Sequence, residues 1–265
     1  MHKHSNIRRH IKPVRKYNLR PSPANHPLIL ASCSVPPALK PAMASAPPTG
    51  LIDYRRWFPG IRNQGVVRSC TGHATAAFRE VLYGIVNQKV IPARRSPAYL
   101  YARTRIAEGT FPRDAGATMA DEFAVLQSFG VCAEEDMPYD DTDPGEPVPN
   151  IADADAATWR VGIPCTVDLS DPRKVYEVLA AGMPICIAIP VYASFEDVGA
   201  DGIIPIPDID KEPLLGGHGL PILGADFDKK QWIIPNSWGA GWGDNGWCYM
   251  PFAYAPFVWE AWTAK

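Results

Sequence analysis

The stretch Gln64–Phe78 reads QGVVRSCTGHATAAF, and it sets a cysteine at the first residue of what the pattern predicts as a helix. Ser69 is of a type that caps helix N-termini, and Ala74, Ala77, Phe78, Val81, Leu82 and Ile85 recur at three and four positions to form one buried stripe. A thiol at a helix start lies among unpaired backbone N–H groups at the positive end of the helix dipole, which favours its thiolate. Cys70 is therefore a candidate nucleophile. The bland reading stands beside it, because most free cysteines are small buried hydrophobes. What separates the two readings is a base.

Of the six histidines, His2, His4, His10 and His26 precede the body of the chain, which leaves His73 and His218. His73 lies one turn along the same helix from Cys70. A Cys-x-x-His metal pair would need further ligands that the sequence does not supply, so His73 reads as a core histidine or a neighbour of the nucleophile, and no metal is expected. His218 lies in LLGGHGLPILGAD (214–226), after two glycines and before a predicted strand. That setting brings backbone close to a ligand while holding the imidazole on a rigid element. One strand and a hairpin later comes IIPNSWGAGWGDNGW (233–247), where Asn236 at a strand end can accept the imidazole N–H and hold its tautomer. Trp238 can shield that bond from water.

Around these blocks the 265 residues fall into two parts, 1–49 and 50–265. The net charge of −2 hides an asymmetry: residues 1–47 carry eight Lys/Arg and no Asp/Glu, leaving eighteen Lys/Arg against 28 Asp/Glu in the rest. Nine prolines by position 48 make the first part an extended basic arm rather than a domain. From Leu51 onward helices are expected first: one capped by Ser69, one by Ser96 with Pro97 behind it, one from Thr118 to Gly130, and one capped by Asp171 and stopped by Gly182. Strands follow at 185–191, 220–226, 231–236 and 247–251. Helices segregated from strands argue for an α+β architecture in two lobes, not for alternating parallel units. The six cysteines form neither a dense disulfide framework nor a zinc pattern. With no signal-peptide core and no membrane span in sight, the default compartment is cytoplasmic.

RNQGVVRSC (62–70), GGHG (216–219) and NSWGAGWGDNGW (236–247) together resemble the three signature blocks of papain and cathepsin-type cysteine peptidases, in the family's order. Weaker matches are IDYRRWFPGIRNQG (52–65), RDAGATMADEFAVLQSFGVCAEEDMPY (113–139) and DGIIP (201–205), and the style is closest to bacterial, xylellain-like members. The resemblance implies a papain-like two-lobed fold, a helical lobe and an antiparallel sheet lobe with the active site in the cleft between them. It implies Cys70 as nucleophile, His218 as base, Asn236 as orienter and Gln64 as side-chain donor to the oxyanion hole. It further implies that Gly116 and Ala117 pair with a substrate backbone. Met119, Ala188 and Gly219 would line the pocket for the second residue upstream of the cut, with Trp238 flanking the site. The family's tryptophan after the nucleophile is Thr71 here, Val67 replaces a disulfide cysteine, and the long helical propeptide is missing. Cysteines 132, 165, 186 and 248 lie away from the family's usual bridges, which points to reduced thiols.

The activity so implied is hydrolysis of peptide bonds through a thioester acyl-enzyme, without metal or organic cofactor. Peptides or proteins are the expected substrates, nucleic acid and membrane are not expected partners, and a monomer is expected. Two alternatives share the fold: an acyltransferase or isopeptidase with the same triad, and a catalytically silent binding protein. The basic arm opposite an acidic body, extended as a cleft ligand is, is expected to cover the cleft near Cys70 and restrain activity.

Overall fold

Helix α1 (Cys70–Asn87) begins where its stripe and Ser69 predict, but the Ser69 side chain makes no capping bond. Its hydroxyl lies 2.6 Å from Tyr139 Oη and 3.3 Å from His73 Nδ1 instead. The next two helices, α2 (Pro97–Ala107) and α3 (Met119–Ser128), do use their caps, Ser96 accepting from the Tyr99 N–H and Thr118 from that of Asp121. Helix α4 (Asn150–Ala156) was not anticipated, since Pro149 at its N-cap offers no capping side chain. In α5 (Pro172–Ala180), Asp171 caps through the Arg173 N–H, and Gly182 then turns the chain at φ 76°. A one-turn helix, α6 (Ala193–Glu196), follows a strand directly. The computed structural model describes residues 15–30 and 48–265.

Eight strands form two antiparallel sheets among the described residues. They are β1 (Leu51–Asp53), β2 (Cys165–Thr166), β3 (Ile185–Tyr192), β4 (Leu214–Ile222), β5 (Gly224–Asp226), β6 (Gln231–Pro235), β7 (Trp247–Pro251) and β8 (Glu260–Thr263). One sheet runs β2-β8-β3-β4 and the other β1-β5-β6-β7. The stretch 220–226, expected as one strand, is two. Its first half belongs to β4, which starts earlier at Leu214 and carries the GGHG block inside it. At Leu223 the chain leaves one sheet for the other, and the Leu223 N–H already donates to the Ile233 carbonyl of the second (2.9 Å). Both halves are buried, so hydropathy does not register the change. Strands β1, β2 and β8, two to four residues each, are too short to show a period.

The α+β architecture in two lobes follows. Helices α1, α2 and α3 pack together, with Phe78 and Phe123 edge to face at 5.3 Å and Trp262 stacked on Phe123. The sheets hold a second core around Ile187, Ile189, Leu220, Trp232 and Ile234. Cys186 and Ala188 of β3 and Trp262 of β8 belong to the helical core, which joins the lobes. Cys70, Cys132, Cys186 and Cys248 are free and buried, as expected of reduced thiols. Cys165 is disulfide-bonded, against that expectation, and Cys33 lies outside the described residues. No described helix is long and apolar enough to cross a membrane.

Arg62 ties the start of the signature block to α1. Its guanidinium meets the fully buried Glu80 at 2.9 Å, the Arg95 carbonyl at 2.8 Å and Glu134 at 2.8 Å. Glu80 also accepts from the Arg95 N–H at 2.7 Å. Removing one partner of a buried pair leaves the other charge uncompensated. Glu80→Ala is therefore expected to cost about 3–5 kcal/mol of unfolding free energy, measured by urea denaturation; a loss below about 1 kcal/mol would place the pair among weak surface bridges.

Candidate active site

Cys70 enters the cleft from the first turn of α1 and lies against β4, where the Gly219 amide reaches its thiol. It is 2% exposed. Burial pushes the thiol up to about 12, and the amides of Gly219 and Thr71 pull it back only in part. The residue before Gly219 is His218, facing Ile189 in the β3–β4 register. His218 Nε2 lies 2.9 Å from Asn236 Oδ1, just past the end of β6. That oxygen also accepts the Ser237 N–H at 2.8 Å, which fixes the amide orientation. His218 Nε2 therefore carries the proton, and Nδ1 keeps its lone pair. Burial lowers the imidazole to about 4, against the Asn236 bond that raises it, and the charge of Arg15 lowers it further. Trp238 covers the ring at 4.8 Å, tilted by 30°.

Gln64 is held on every side. Its backbone N–H donates to the Ser237 carbonyl (2.8 Å), its Oε1 accepts the Ser237 hydroxyl (2.6 Å), and its Nε2 donates to the Val67 carbonyl (2.9 Å). One Nε2 hydrogen is left for another acceptor. The Tyr139 hydroxyl donates to the Gln64 carbonyl at 2.8 Å. Ser237 and Tyr139 were missed in the sequence reading. Both sit within quoted segments, but neither side chain carries a reaction chemistry that marks it. His73 is buried, its Nδ1 3.1 Å from the Ser69 carbonyl. Among the described residues no group of three or more His, Cys, Asp or Glu is placed to hold a metal ion.

Residues 15–20 lie along this site. Leu19, 3% exposed, packs into one core with Cys70, Met119 and Ala188. A Cβ added to Gly219 would meet Met119 at 3.1 Å and Leu19 at 3.3 Å, so Met119, Ala188 and Gly219 surround a single leucine. The Leu19 N–H donates to the Gly217 carbonyl and the Arg20 N–H to that of Ala117, each at 3.3 Å. Side chains on Gly116 and Gly217 would strike the backbones of Asn18 and Leu19, which explains glycine at both. Tyr17 stands edge-on to His218 at 6.5 Å and hydrogen-bonds Glu196, and the Arg15 guanidinium lies 4.1 Å over Trp238. Arg20 pairs with Glu108, and His26 lies 3.3 Å from Asp121.

A thiol against Gly219, one residue along from an imidazole that an amide orients, suits acyl transfer. The family model for papain family cysteine proteases matches residues 51–254. The chain belongs to that family. An uncharacterized peptidase C1-like protein of Acanthamoeba polyphaga mimivirus is 30% identical over 204 residues, 72% of this chain and 64% of that protein. A viral cathepsin of Spodoptera litura multicapsid nucleopolyhedrovirus is 28% identical over 187 residues, covering 70% and 51%. The chain thus spans about half to two thirds of the length of these curated relatives. Among solved structures, xylellain, a cysteine protease from Xylella fastidiosa, superposes with a TM-score of 0.81 at 26% identity over 94% of this chain and 95% of that one. Digestive procathepsin L 3 of Tenebrio molitor (TM-score 0.66, 17% identity, 83% and 71% covered) shares the fold.

Two imidazoles of this papain-family chain are buried in the neutral form, His218 near 4 and His73 near 3, both below the ordinary value of 6.5. As pH falls below 6.5 the unfolded chain binds protons that the folded one refuses. Their contribution to stability is therefore full above about pH 6.5 and lost towards pH 4 and 3. The unfolding free energy from urea denaturation is expected to fall from about pH 7 to about pH 5 by up to roughly 1.4 kcal/mol per pH unit for each histidine; a flat profile would contradict their burial.

Proposed function

We propose that the chain is a cysteine endopeptidase whose own residues 15–30 hold it latent. The observation that carries this reading is Leu19 seated beside the Cys70 thiol, between Met119, Ala188 and Gly219, with its backbone hydrogen-bonded to β4. A groove that accepts an extended peptide next to a nucleophile is a peptidase groove. In the reaction His218 Nδ1 takes the thiol proton, and the sulfur attacks the scissile carbonyl carbon. The oxyanion is held by the Cys70 N–H and the free Gln64 Nε2 hydrogen. The C–N bond breaks as His218 returns the proton to the leaving amine. Water, deprotonated by His218, then opens the thioester, releasing the acid and restoring the thiol.

The arm fills the groove in the unproductive direction. A substrate whose second residue upstream of the cut enters the Leu19 pocket sends its following residues past His218. The arm sends its preceding ones, Tyr17 and Arg15, that way. Its backbone polarity is thus opposite, and no arm carbonyl is offered to the thiol in register. The apolar lining of the pocket favours Leu, Val or Phe over Asp or Lys at that substrate position.

With a fluorogenic peptide carrying Leu at that position, Cys70→Ala is expected to lose roughly 10⁴-fold or more in turnover, and Asn236→Ala markedly less. Wild-type turnover in Cys70→Ala would overturn the nucleophile. Removing residues 1–47 is expected to raise hydrolysis at low peptide concentration and to speed alkylation of Cys70 by iodoacetamide near neutral pH. Unchanged rates in both assays would remove the arm from the reading and leave the triad standing.

A further inference from the structure

Beside the triad residues, α1 and the sheet lobe line a small, partly open chamber. Arg62, His73, Gly219, Asn236 and Ser237 line it, and about 20 Å³ within it is open to the centre of a water molecule. One water needs roughly 10–15 Å³ by that measure. Three buried polar atoms of its lining residues have no protein partner: His73 Nε2, Asn236 Nδ2 and Arg62 Nε. Leaving a buried polar atom unpaired is destabilising, so three such atoms on residues that line one chamber call for a shared partner.

The hydrogen-bond directions say what that partner must be. His73 Nδ1 faces the Ser69 carbonyl at 3.1 Å, and a carbonyl only accepts, so Nδ1 carries the proton and Nε2 is an acceptor. The rest of the path agrees. Tyr139 spends its hydrogen on the Gln64 carbonyl and accepts from Ser69 Oγ, which leaves Ser69 Oγ to accept, at 3.3 Å, from His73 Nδ1. Asn236 Nδ2 and Arg62 Nε can only donate. Two donors and one acceptor around a space of one molecule match a water that accepts two hydrogen bonds and donates one.

We propose that a buried water in this chamber bridges His73 Nε2 to Asn236 Nδ2, and that His73 is thereby a positioning residue for the triad. Its catalytic part rests on the endopeptidase reading above. Asn236 orients His218 only while Oδ1 faces the imidazole. Turned over, its NH₂ would donate to Nε2 and force the proton onto Nδ1, where the thiol proton has to go. The Ser237 N–H opposes that turn, because it would then face the amide NH₂ instead of the oxygen, and in the orientation so fixed the water held by His73 accepts from Nδ2. His73 so touches both halves of the machinery: Asn236 through water, and Gln64 through Ser69 and Tyr139.

The test uses the full chain with ¹⁵N-labelled histidine. In the wild type, His218 is expected to show the Nε2–H tautomer, with a long-lived water cross-peak to the Asn236 side-chain amide. His73→Leu should abolish the cross-peak and mix the His218 tautomers, while His73→Gln, which keeps an acceptor, should retain both signals. In turnover, His73→Leu should lower kcat by roughly ten-fold, the rate equivalent of one hydrogen bond, with KM unchanged, and His73→Gln should recover most of it. In an Asn236→Ala background, His73→Leu should add little. A single His218 tautomer in His73→Leu, or losses that simply multiply with Asn236→Ala, would overturn the proposal while leaving the triad intact. An inactive wild type with the expected NMR signals would instead sink the peptidase reading and keep the water. If His73→Leu does not fold, His73→Asn and His73→Gln carry the same comparison, the shorter amide falling out of reach of the water.

Discussion

The first turn of α1 meets the middle of β4 at van der Waals distance across the two lobes, and the site is arranged from that contact. A Cβ on Gly219 would stand 3.4 Å from the Cys70 carbonyl carbon, an ordinary contact, but 3.1 Å from Met119 and 3.3 Å from Leu19, so a side chain there would crowd the apolar pocket rather than the helix. Because Gly219 follows His218 and pairs with Ala188, one point of approach sets Cys70, His218 and the floor of the apolar pocket together. Asn236 arrives from the other sheet. It can do so because the chain crosses between sheets at Leu223, which brings the end of β6 beside β4.

That geometry is dry when the arm is docked, and dryness decides the protonation states. With the thiol pushed to about 12 and the imidazole down to about 4, the proton stays on sulfur across the whole neutral range. A thiolate requires the order to narrow or reverse. Hydration of the cleft does this directly, since desolvation is the largest cause of both shifts, and loss of Arg15 from beside His218 acts in the same direction. The docked segment, through Arg15, therefore bears on these protonation states.

Much of this was legible in residues that carry either chemistry or punctuation. Ser96, Thr118 and Asp171 announced three helix starts, and Cys70, His218, Asn236 and Gln64 stood in the blocks that carry the family resemblance. What stayed hidden has physical reasons. Helix α4 and strands β1, β2 and β8 are too short for a period, and β4 and β5 read as one strand because burial continues across the change of sheet. Ser69 looked like a cap, yet a closer partner, Tyr139, takes its hydroxyl. The charge contrast anticipated contacts such as Arg20 with Glu108, but the most buried of the arm's described contacts is Leu19, a residue with no local pattern to mark it.

The segment in the groove and the groove itself are one molecule, and this changes the arithmetic of occupancy. A tethered ligand sees its site at an effective concentration on the order of millimolar, whatever the concentration of the protein. Dilution cannot empty the groove, and a free peptide has to compete against that fixed value. Severing every covalent link between the segment and the body, the chain and any disulfide alike, would turn the unimolecular equilibrium into a bimolecular one. From then on occupancy falls as the protein is diluted, so two molecules with identical contacts, one cut and one whole, would differ in how far their surroundings can open them.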